Sequence, residues 1–277
     1  MTKTFFENTA WCFVDHSTEM IPKSPLESFG MDDTLCHLVG REAFGAVVRS
    51  WVHGSSVVLG IQDHRLPNIE EGQRFLENAG FKPIVRNSGG LAVVLDEGVL
   101  NISLVFADPG KLAIDTAFTY MVDFVKMLLP EAADRIEAYE IVGSYCPGTF
   151  DLSIGGRKFA GISQRRMQNG IAVQIYLCVE GSGSERAELI REFYNVSILN
   201  GPVKYDYPQV KPEVMASLQE LLGDKTLTVE KLNAKIPEVM AAISSVNVFE
   251  GFSAEQVALN EHYLERIYKR NESLLVK

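Results

Sequence analysis

Apolar and polar positions divide this chain into a strand-rich front and a helical back. Residues 1–25 carry little pattern and end in the turn-rich Ile21-Pro22-Lys23-Ser24-Pro25. Residues 29–39 place Leu35, Leu38 and Val39 on one face, which predicts a short helix. Two β-branched runs, 46–52 and 56–61, flank His53-Gly54-Ser55 and predict a hairpin. Residues 69–79 read as a helix closed by Gly80, and 82–85 as a short strand. Runs 91–95 and 99–106 flank Asp96-Glu97-Gly98 and predict a second hairpin. Asp115 is placed to cap a helix through Met121, Phe124, Val125 and Leu128 that stops at Pro130. Residues 136–142 read as a strand.

Residues 151–154 alternate as a half-buried strand does, and 157–162 return after Gly155-Gly156. Two glycines in a two-residue loop suit a turn that needs positive φ at both positions. In that register Lys158 lies opposite Ser153 and shares a face with Ser153 and Asp151, while Phe159 joins Leu152. Residues 170–180 are apolar enough for a central strand, ended by Gly181-Ser182-Gly183. Residues 185–194 read as a helix and 196–207 as irregular. Three further helices follow: 213–222 up to Gly223, 229–242 interrupted by Pro237, and 254–275 opened by the capping box Ser253-Ala254-Glu255-Gln256. No internal repeat or low-complexity tract interrupts the chain. The pattern predicts an α+β fold, a sheet core with helices and a helical C-terminal annex.

Composition narrows the class. The chain has 277 residues, 46% of them hydrophobic, as in an ordinary globular protein of one large domain or one domain with an annex. No apolar run is long enough for a membrane span, and the N-terminal segment lacks a signal-peptide h-region. Four well-separated cysteines, Cys12, Cys36, Cys146 and Cys178, form no CxxC pair and read as free thiols of a cytoplasmic protein. No Cys/His cluster or HExxH motif suggests a metal. A net charge of −10 argues against a global nucleic-acid surface. The basic residues Arg157, Lys158, Arg165 and Arg166 nevertheless cluster, and that patch suggests docking of an acidic partner.

Candidate chemistry centres on Cys146. Pro147-Gly148 follows it, so it lies in a bend. By default a lone cysteine is a small core residue. If the bend folds Cys146 back over the hairpin, the Lys158 ammonium favours its thiolate and makes it a nucleophile. The Ser88-Gly89-Gly90 loop allows close approach of backbone to a ligand, but neither a phosphate-loop pattern nor GxGxxG is present. His64, in Gly60-Ile61-Gln62-Asp63-His64, is a candidate general base. Asp151 and Ser153 are candidates to orient the Lys158 ammonium. The remaining histidines, and Cys12, Cys36 and Cys178, read as structural.

Three motifs stand in order: Arg86-Asn87-Ser88-Gly89-Gly90, Leu95-Asp96-Glu97-Gly98-Val99-Leu100-Asn101, and Lys158-Phe159-Ala160-Gly161-Ile162-Ser163-Gln164. Together they resemble the biotin/lipoate protein ligase superfamily. Residues 30–36, 50–67 and 143–166 narrow the resemblance to its octanoyl-[glycine cleavage H protein]:protein N-octanoyltransferases. The resemblance covers roughly residues 30–225, and so implies a lead-in at 1–29, a catalytic domain at 30–225 and a helical annex at 226–277. It implies a mixed-sheet fold akin to the class II synthetase core. It also implies transfer of an octanoyl group from a lysine of the glycine cleavage H protein to the target lysine of E2 lipoyl domains. Cys146 would carry the acyl thioester and Lys158 would lower its pKa. Substrate-binding residues would be Arg86, Ser88, Gly89, Gly90, Asp96, Asn101, Gly161 and Gln164, with the backbone of Gly89-Gly90 and the side chains of residues 91–94 as one wall of an apolar slot for the octanoyl tail. Neither cofactor, metal, nucleic acid nor membrane is implied. The sister activities, transfer from octanoyl-acyl carrier protein and ATP-dependent lipoate ligation, are the alternatives. Leu91, where ATP-dependent ligases usually carry a third glycine, and the presence of Cys146 favour transfer.

Overall fold

The computed structural model describes residues 2–41, 44–108, 110–199, 201–203, 205–247 and 249–275. At its centre is an eight-stranded mixed sheet. In spatial order it runs β11 (Val246–Asn247), β1 (Trp11–His16), β2 (Ala46–Trp51), β6 (Val99–Ala107), β10 (Gly170–Cys178), β9 (Arg157–Met167), β8 (Leu152–Ile154) and β7 (Ile136–Ala138). β1 runs parallel to β11 and β2, and every other pair is antiparallel. A second sheet has the order β4 (Lys82–Val85), β3 (Ser56–Leu59), β5 (Val93–Leu95).

The period of two on the central strands separates two environments. Leu100, Ile102, Leu104 and Phe106 of β6, with Ile171, Val173, Ile175 and Leu177 of β10, face a core closed by α1 (Thr2–Glu7), α4 (Ile114–Leu128) and α7 (Val229–Ile243). The intervening positions Asn101, Ser103, Gln174 and Tyr176 are polar, yet all are buried. Over that second face lie α2 (Pro25–Gly40) and the small sheet, the latter backed by α3 (Ile69–Asn78) and α5 (Gly183–Ile198). Polar residues on a covered sheet face mark where the chain builds something other than core.

The structure corrects several expectations. Residues 1–25 hold a helix and a strand: Phe6 and Trp11 are fully buried, and β1 pairs on both sides. Neither of the first two predicted hairpins forms. The β2 and β3 strands belong to different sheets because His53-Gly54-Ser55 is held by tertiary bonds, such as Gly54 N–H to Ile21 O at 2.9 Å. Likewise β5 pairs with β3, while β6 pairs with β2 and β10. β7 stops at Ala138. Ala113 is the N-cap of α4, and Asp115 sits in its first turn without a capping bond. The predicted helix at 213–222 shortens to a 3-10 turn, Pro212–Val214, and α6 (Leu218–Leu222), capped by Ser217 with Glu220. Pro237 lies inside α7 without ending it.

The capping box of α8 (Ala254–Leu275) forms as read, with Ser253 and Gln256 bonded reciprocally. This helix lies on α2, where Gly30 leaves room for Leu264, since an added Cβ would stand 3.3 Å from it. It also reaches the small sheet through Asn271 Nδ2 to Val85 O at 2.5 Å. Among the described residues no helix is long and apolar enough to cross a membrane.

His53 is part of this buried scaffold. Its Nδ1–H donates to Lys23 O (3.1 Å), and its Nε2 accepts from Ser28 Oγ (2.9 Å). Burial, helped by the Arg49 and Lys23 charges, pushes its pKa down to about 4. Below the ordinary value near 6.5 the unfolded chain takes up a proton that the folded chain refuses. Stability contributed by neutral His53 is therefore present above that value and lost as pH falls toward 4. The loss amounts to about 3 kcal/mol. Between pH 7 and pH 4 the stability lost, read by urea unfolding, is expected to be smaller by about 3 kcal/mol in a His53→Gln variant than in the parent protein.

Candidate active site

Cys146 sits in a turn whose backbone is built around two buried charges. The Asp151 carboxylate accepts from Ile141 N–H (3.3 Å) and Ser144 Oγ (3.5 Å), and the Asp151 N–H closes on Gly148 O (3.1 Å). Lys158 Nζ meets that carboxylate at 2.9 Å, with side-chain exposures of 0% and 2% for Lys158 and Asp151. The same ammonium donates to Tyr145 O (3.0 Å), Cys146 O (2.9 Å) and Ser144 Oγ (3.3 Å). Burial pushes the Asp151 carboxyl up, against the pull of Lys158.

This clamp has work to do, because Cys146 has φ +45°, in the left-handed region. A non-glycine residue there costs about 1–2 kcal/mol. Three donated bonds from one buried cation offset such strain. Tyr145 anchors the turn from behind: its ring stacks on Tyr176 at 6.0 Å and its hydroxyl meets Cys178 Sγ at 3.7 Å. Thus Lys158 reaches Cys146 as expected, but at the peptide oxygen; the sulfur is not among its hydrogen-bond partners.

The hairpin explains why Lys158 points there. Gly155 and Gly156 both have positive φ, 58° and 73°, and Ser153 lies opposite Lys158 as read. Between Ser153↔Lys158 and Leu152↔Ala160 the β9 strand carries one extra residue. That bulge re-aims the strand. It leaves Lys158 beside Tyr176, near which Gly161 also lies, although the two positions differ by an odd number. Ser153 is buried, and its hydroxyl has no hydrogen-bond partner among the described residues, so it does not orient the ammonium.

A cavity of about 270 Å³ opens beside the thiol. Cys146, half-buried, lines it, with Phe29, Trp51, Val58, Val93, Leu95, Phe118, Ile162, Ile175 and Tyr176 supplying apolar wall. Gly161 keeps the β9 side open, since a Cβ there would stand 2.7 Å from the Tyr176 ring. Polar groups enter at Asn101 and at Gln174, whose Nδ2 and Nε2 are bonded to Trp51 O and to Asp32. Asp32 in turn pairs with the fully buried Arg49 (2.7 Å) and accepts from Ser103 (2.8 Å). The cavity is an apolar slot whose polar floor is hydrogen-bonded at Asn101 and Gln174, while the Tyr176 hydroxyl has no hydrogen-bond partner among the described residues.

The loop from Arg86 to Leu91 closes the slot on the cysteine. Leu91 N–H points at Cys146 Sγ, 3.2 Å away. Arg86 holds the loop by donating to Gly89 O (3.3 Å) and Leu91 O (2.6 Å). Asn87 is tied to Asp33, which also takes Arg165 at 2.8 Å. Gly90 has φ +114°, and a Cβ there would lie 2.7 Å from the Arg86 guanidinium and 3.2 Å from the sulfur. At Gly89 a Cβ would meet nothing within 4 Å, so the close wall is Gly90 rather than both glycines.

Arg86, Ser88, Gly89, Gly90, Asn101, Cys146, Asp151, Gly161 and Gln164 thus line one cavity. Lys158 stands directly behind it. Asp96 does not join them: it pairs with Arg186 at 2.7 Å in the turn before β6, beside a different surface concavity. His64 lies on a 3-10 turn, Asp63–Arg65, outside the cavity lining, which removes the ground for a general-base role. The basic patch is largely spent internally. Arg165 pairs with Asp33, Arg166 donates to Gln164 Oε1 and Leu112 O, and Arg157 faces Glu220. Asp32, Asp33 and the Leu91 amide were not legible as site groups. The one available signal was the adjacent pair of acids within residues 30–36, between Met31 and Leu35.

The fold and site have known counterparts. A family model described as the lipoyl protein ligase A/B catalytic domain matches residues 24–241. A protein of Lysinibacillus sphaericus named octanoyl-[GcvH]:protein N-octanoyltransferase is 53% identical over 99% of this chain and 98% of its own length. Among solved structures, lipoate-protein ligase A bound with ATP is 14% identical with a TM-score of 0.68, covering 96% of this chain and 98% of that one. A bipartite lipoate protein ligase of Thermoplasma acidophilum, studied with its E2 lipoyl domain, is 17% identical with a TM-score of 0.59 and 98% coverage of both. These two likenesses show the mixed-sheet ligase fold. The chain belongs to the lipoyl protein ligase A/B catalytic-domain family, in the branch whose curated members are named octanoyl-[GcvH]:protein N-octanoyltransferases.

Proposed function

We propose that this protein moves an octanoyl group from a lysine of the glycine cleavage H protein to the target lysine of E2 lipoyl domains, through a thioester on Cys146. The observation that carries this reading is the thiol of Cys146 on the wall of an apolar slot, with a backbone amide aimed at its sulfur. The name shared by close relatives supports the donor, and the ligase studied with its E2 lipoyl domain supports the acceptor.

The chemistry follows from these groups. The octanoyl tail lies in the slot, where each buried methylene contributes about 0.8 kcal/mol. The sulfur of Cys146 attacks the amide carbonyl carbon, the C–N bond breaks, and the thiol's proton leaves on the donor lysine amine. The acyl group is now a thioester. The acceptor lysine amine attacks it, a C–N bond forms, the C–S bond breaks and the sulfur regains its proton. Lys158 places a buried positive charge on the cysteine's own carbonyl, which favours the negative charge that sulfur carries during both steps. The Leu91 N–H supplies a donor to the same atom.

One assay separates this reading from its sister activities. The protein is mixed in turn with octanoylated H protein, octanoyl-acyl carrier protein, or octanoate with ATP, and apo lipoyl domain is added. Intact-mass analysis is expected to show an octanoyl adduct on Cys146 with octanoylated H protein, chased by the lipoyl domain. An adduct from the carrier protein alone, or ligation requiring ATP, would replace this reading with the corresponding alternative.

A further inference from the structure

Asp63 is fully buried and absent from the cavity lining, yet one of its bonds holds the glycine that packs on the loop covering Cys146. Its carboxylate accepts from Gly60 N–H (2.8 Å) and from Tyr194 Oη (2.8 Å). Gly60 and Gly90 are in backbone contact, since a Cβ on Gly60 would fall 2.0 Å from Gly90 O. The segment after β3 is therefore interlocked with the Arg86–Leu91 loop at Gly60 on Gly90, and Asp63 holds Gly60 there.

The Gly90 carbonyl and the Leu91 N–H belong to one peptide unit, so Gly60 packs on the unit that carries this donor. Arg86 takes the Leu91 carbonyl of the following unit (2.6 Å), and Asp63 holds Gly60 against the preceding one. What remains is the direction of the Leu91 N–H, and it points at Cys146 Sγ (3.2 Å). We propose that Asp63 is the positioning residue for this sulfur hydrogen bond. It touches no substrate and acts through Gly60 on the Gly90–Leu91 peptide unit. Arg86 is the cation that faces the carboxylate, and Tyr194 and Tyr205 are the other titratable groups around it. The carboxylate pays a cost for its place, because burial pushes its pKa up to about 6. A residue kept only for packing gains nothing from such a charge.

The role in catalysis rests on the octanoyl-transfer reading, but the positioning is testable without it. The measurement is the rate of Cys146 alkylation by iodoacetamide, with no acyl carrier present, followed by intact mass at pH 7. Asp63→Asn removes the charge and keeps the shape. It is expected to slow alkylation about tenfold, the worth of a lost hydrogen bond to a charged group. Melting temperature should stay unchanged or rise. In rapid-quench acylation by octanoylated H protein the same variant should lose a similar factor in rate with KM unchanged. Tyr194→Phe, which removes one bond to Asp63, should shift both rates in the same direction by less.

Alkylation and acylation at wild-type rates in a folded Asp63→Asn protein would overturn the proposal, as would losses that merely track a lowered melting temperature or appear only in KM. If Asp63→Asn slows alkylation while the wild-type protein acylates from none of the three donors, the positioning stands and the functional reading falls.

Discussion

Replacing Cys146 by serine is expected to lower acyl transfer between carrier proteins by about a thousandfold or more, with the fold intact. The hydroxyl fits the same space, and Leu91 N–H can still donate to it. What the site does not offer is a base. The nearest strong candidate, Lys158, is an ammonium already engaged by Asp151 and three oxygens, and the group bonded to the Cys146 side chain among the described residues is the Leu91 N–H, a donor. Sulfur ionises unaided far more readily than a hydroxyl, so only the thiol works in such a setting. The other cysteines do not substitute. Cys12, Cys36 and Cys178 are buried, and burial pushes each thiol up. Alkylation near neutral pH should therefore label the wild-type chain at Cys146 and leave Cys146→Ser unlabelled. Transfer assayed by the mass of the acceptor domain checks the main prediction. Near wild-type transfer by the serine variant would remove the thioester from the mechanism.

Much of the site was legible because it is local. The Gly155-Gly156 turn fixes the Ser153–Lys158 register by backbone conformation alone, and Pro147-Gly148 marks the bend at Cys146. The β9 bulge has no such signature. Without it, alternation cannot tell that Lys158 points beside Tyr176, near Gly161, nor that it meets the peptide oxygen of Cys146 instead of its sulfur. Sheet membership was equally hidden. Runs 46–52 and 56–61 look like hairpin partners, but β3 finds its neighbours at β4 and β5, and the choice is made by what His53 and Gly54 bind across the chain. Isolated acids were the least legible of all. Asp33 acquires its meaning from Arg165 and Asp63 from Tyr194, each more than 130 residues away.

Lys158→Met should lower transfer by two to three orders of magnitude and destabilise the fold by about 3–5 kcal/mol, the usual cost of leaving one member of a buried ion pair alone. Two effects are mixed in that result. Asp151 loses its cation in a site with almost no solvent, and the left-handed Cys146 turn loses the donor that holds its carbonyl. The double variant Lys158→Met/Asp151→Asn separates them. The amide can still accept from Ile141 N–H, and no orphan charge remains, so most of the lost stability should return. Transfer should not, because the ammonium on the cysteine's peptide is still missing. Acidity provides a second handle. Burial, the largest influence on Asp151, raises its carboxyl, and Lys158 is the first of the groups opposing it. Removing Lys158 leaves burial less opposed, so in the single variant Asp151 binds a proton more tightly folded than unfolded. Its penalty should then shrink as pH falls from neutrality toward the ordinary carboxylate range, and urea unfolding of the single and double variants should converge there. Recovery of transfer together with stability in the double variant would reduce the Lys158–Asp151 pair to a packing device. A stable but inactive protein would place the Lys158 charge in the chemistry of the thiol.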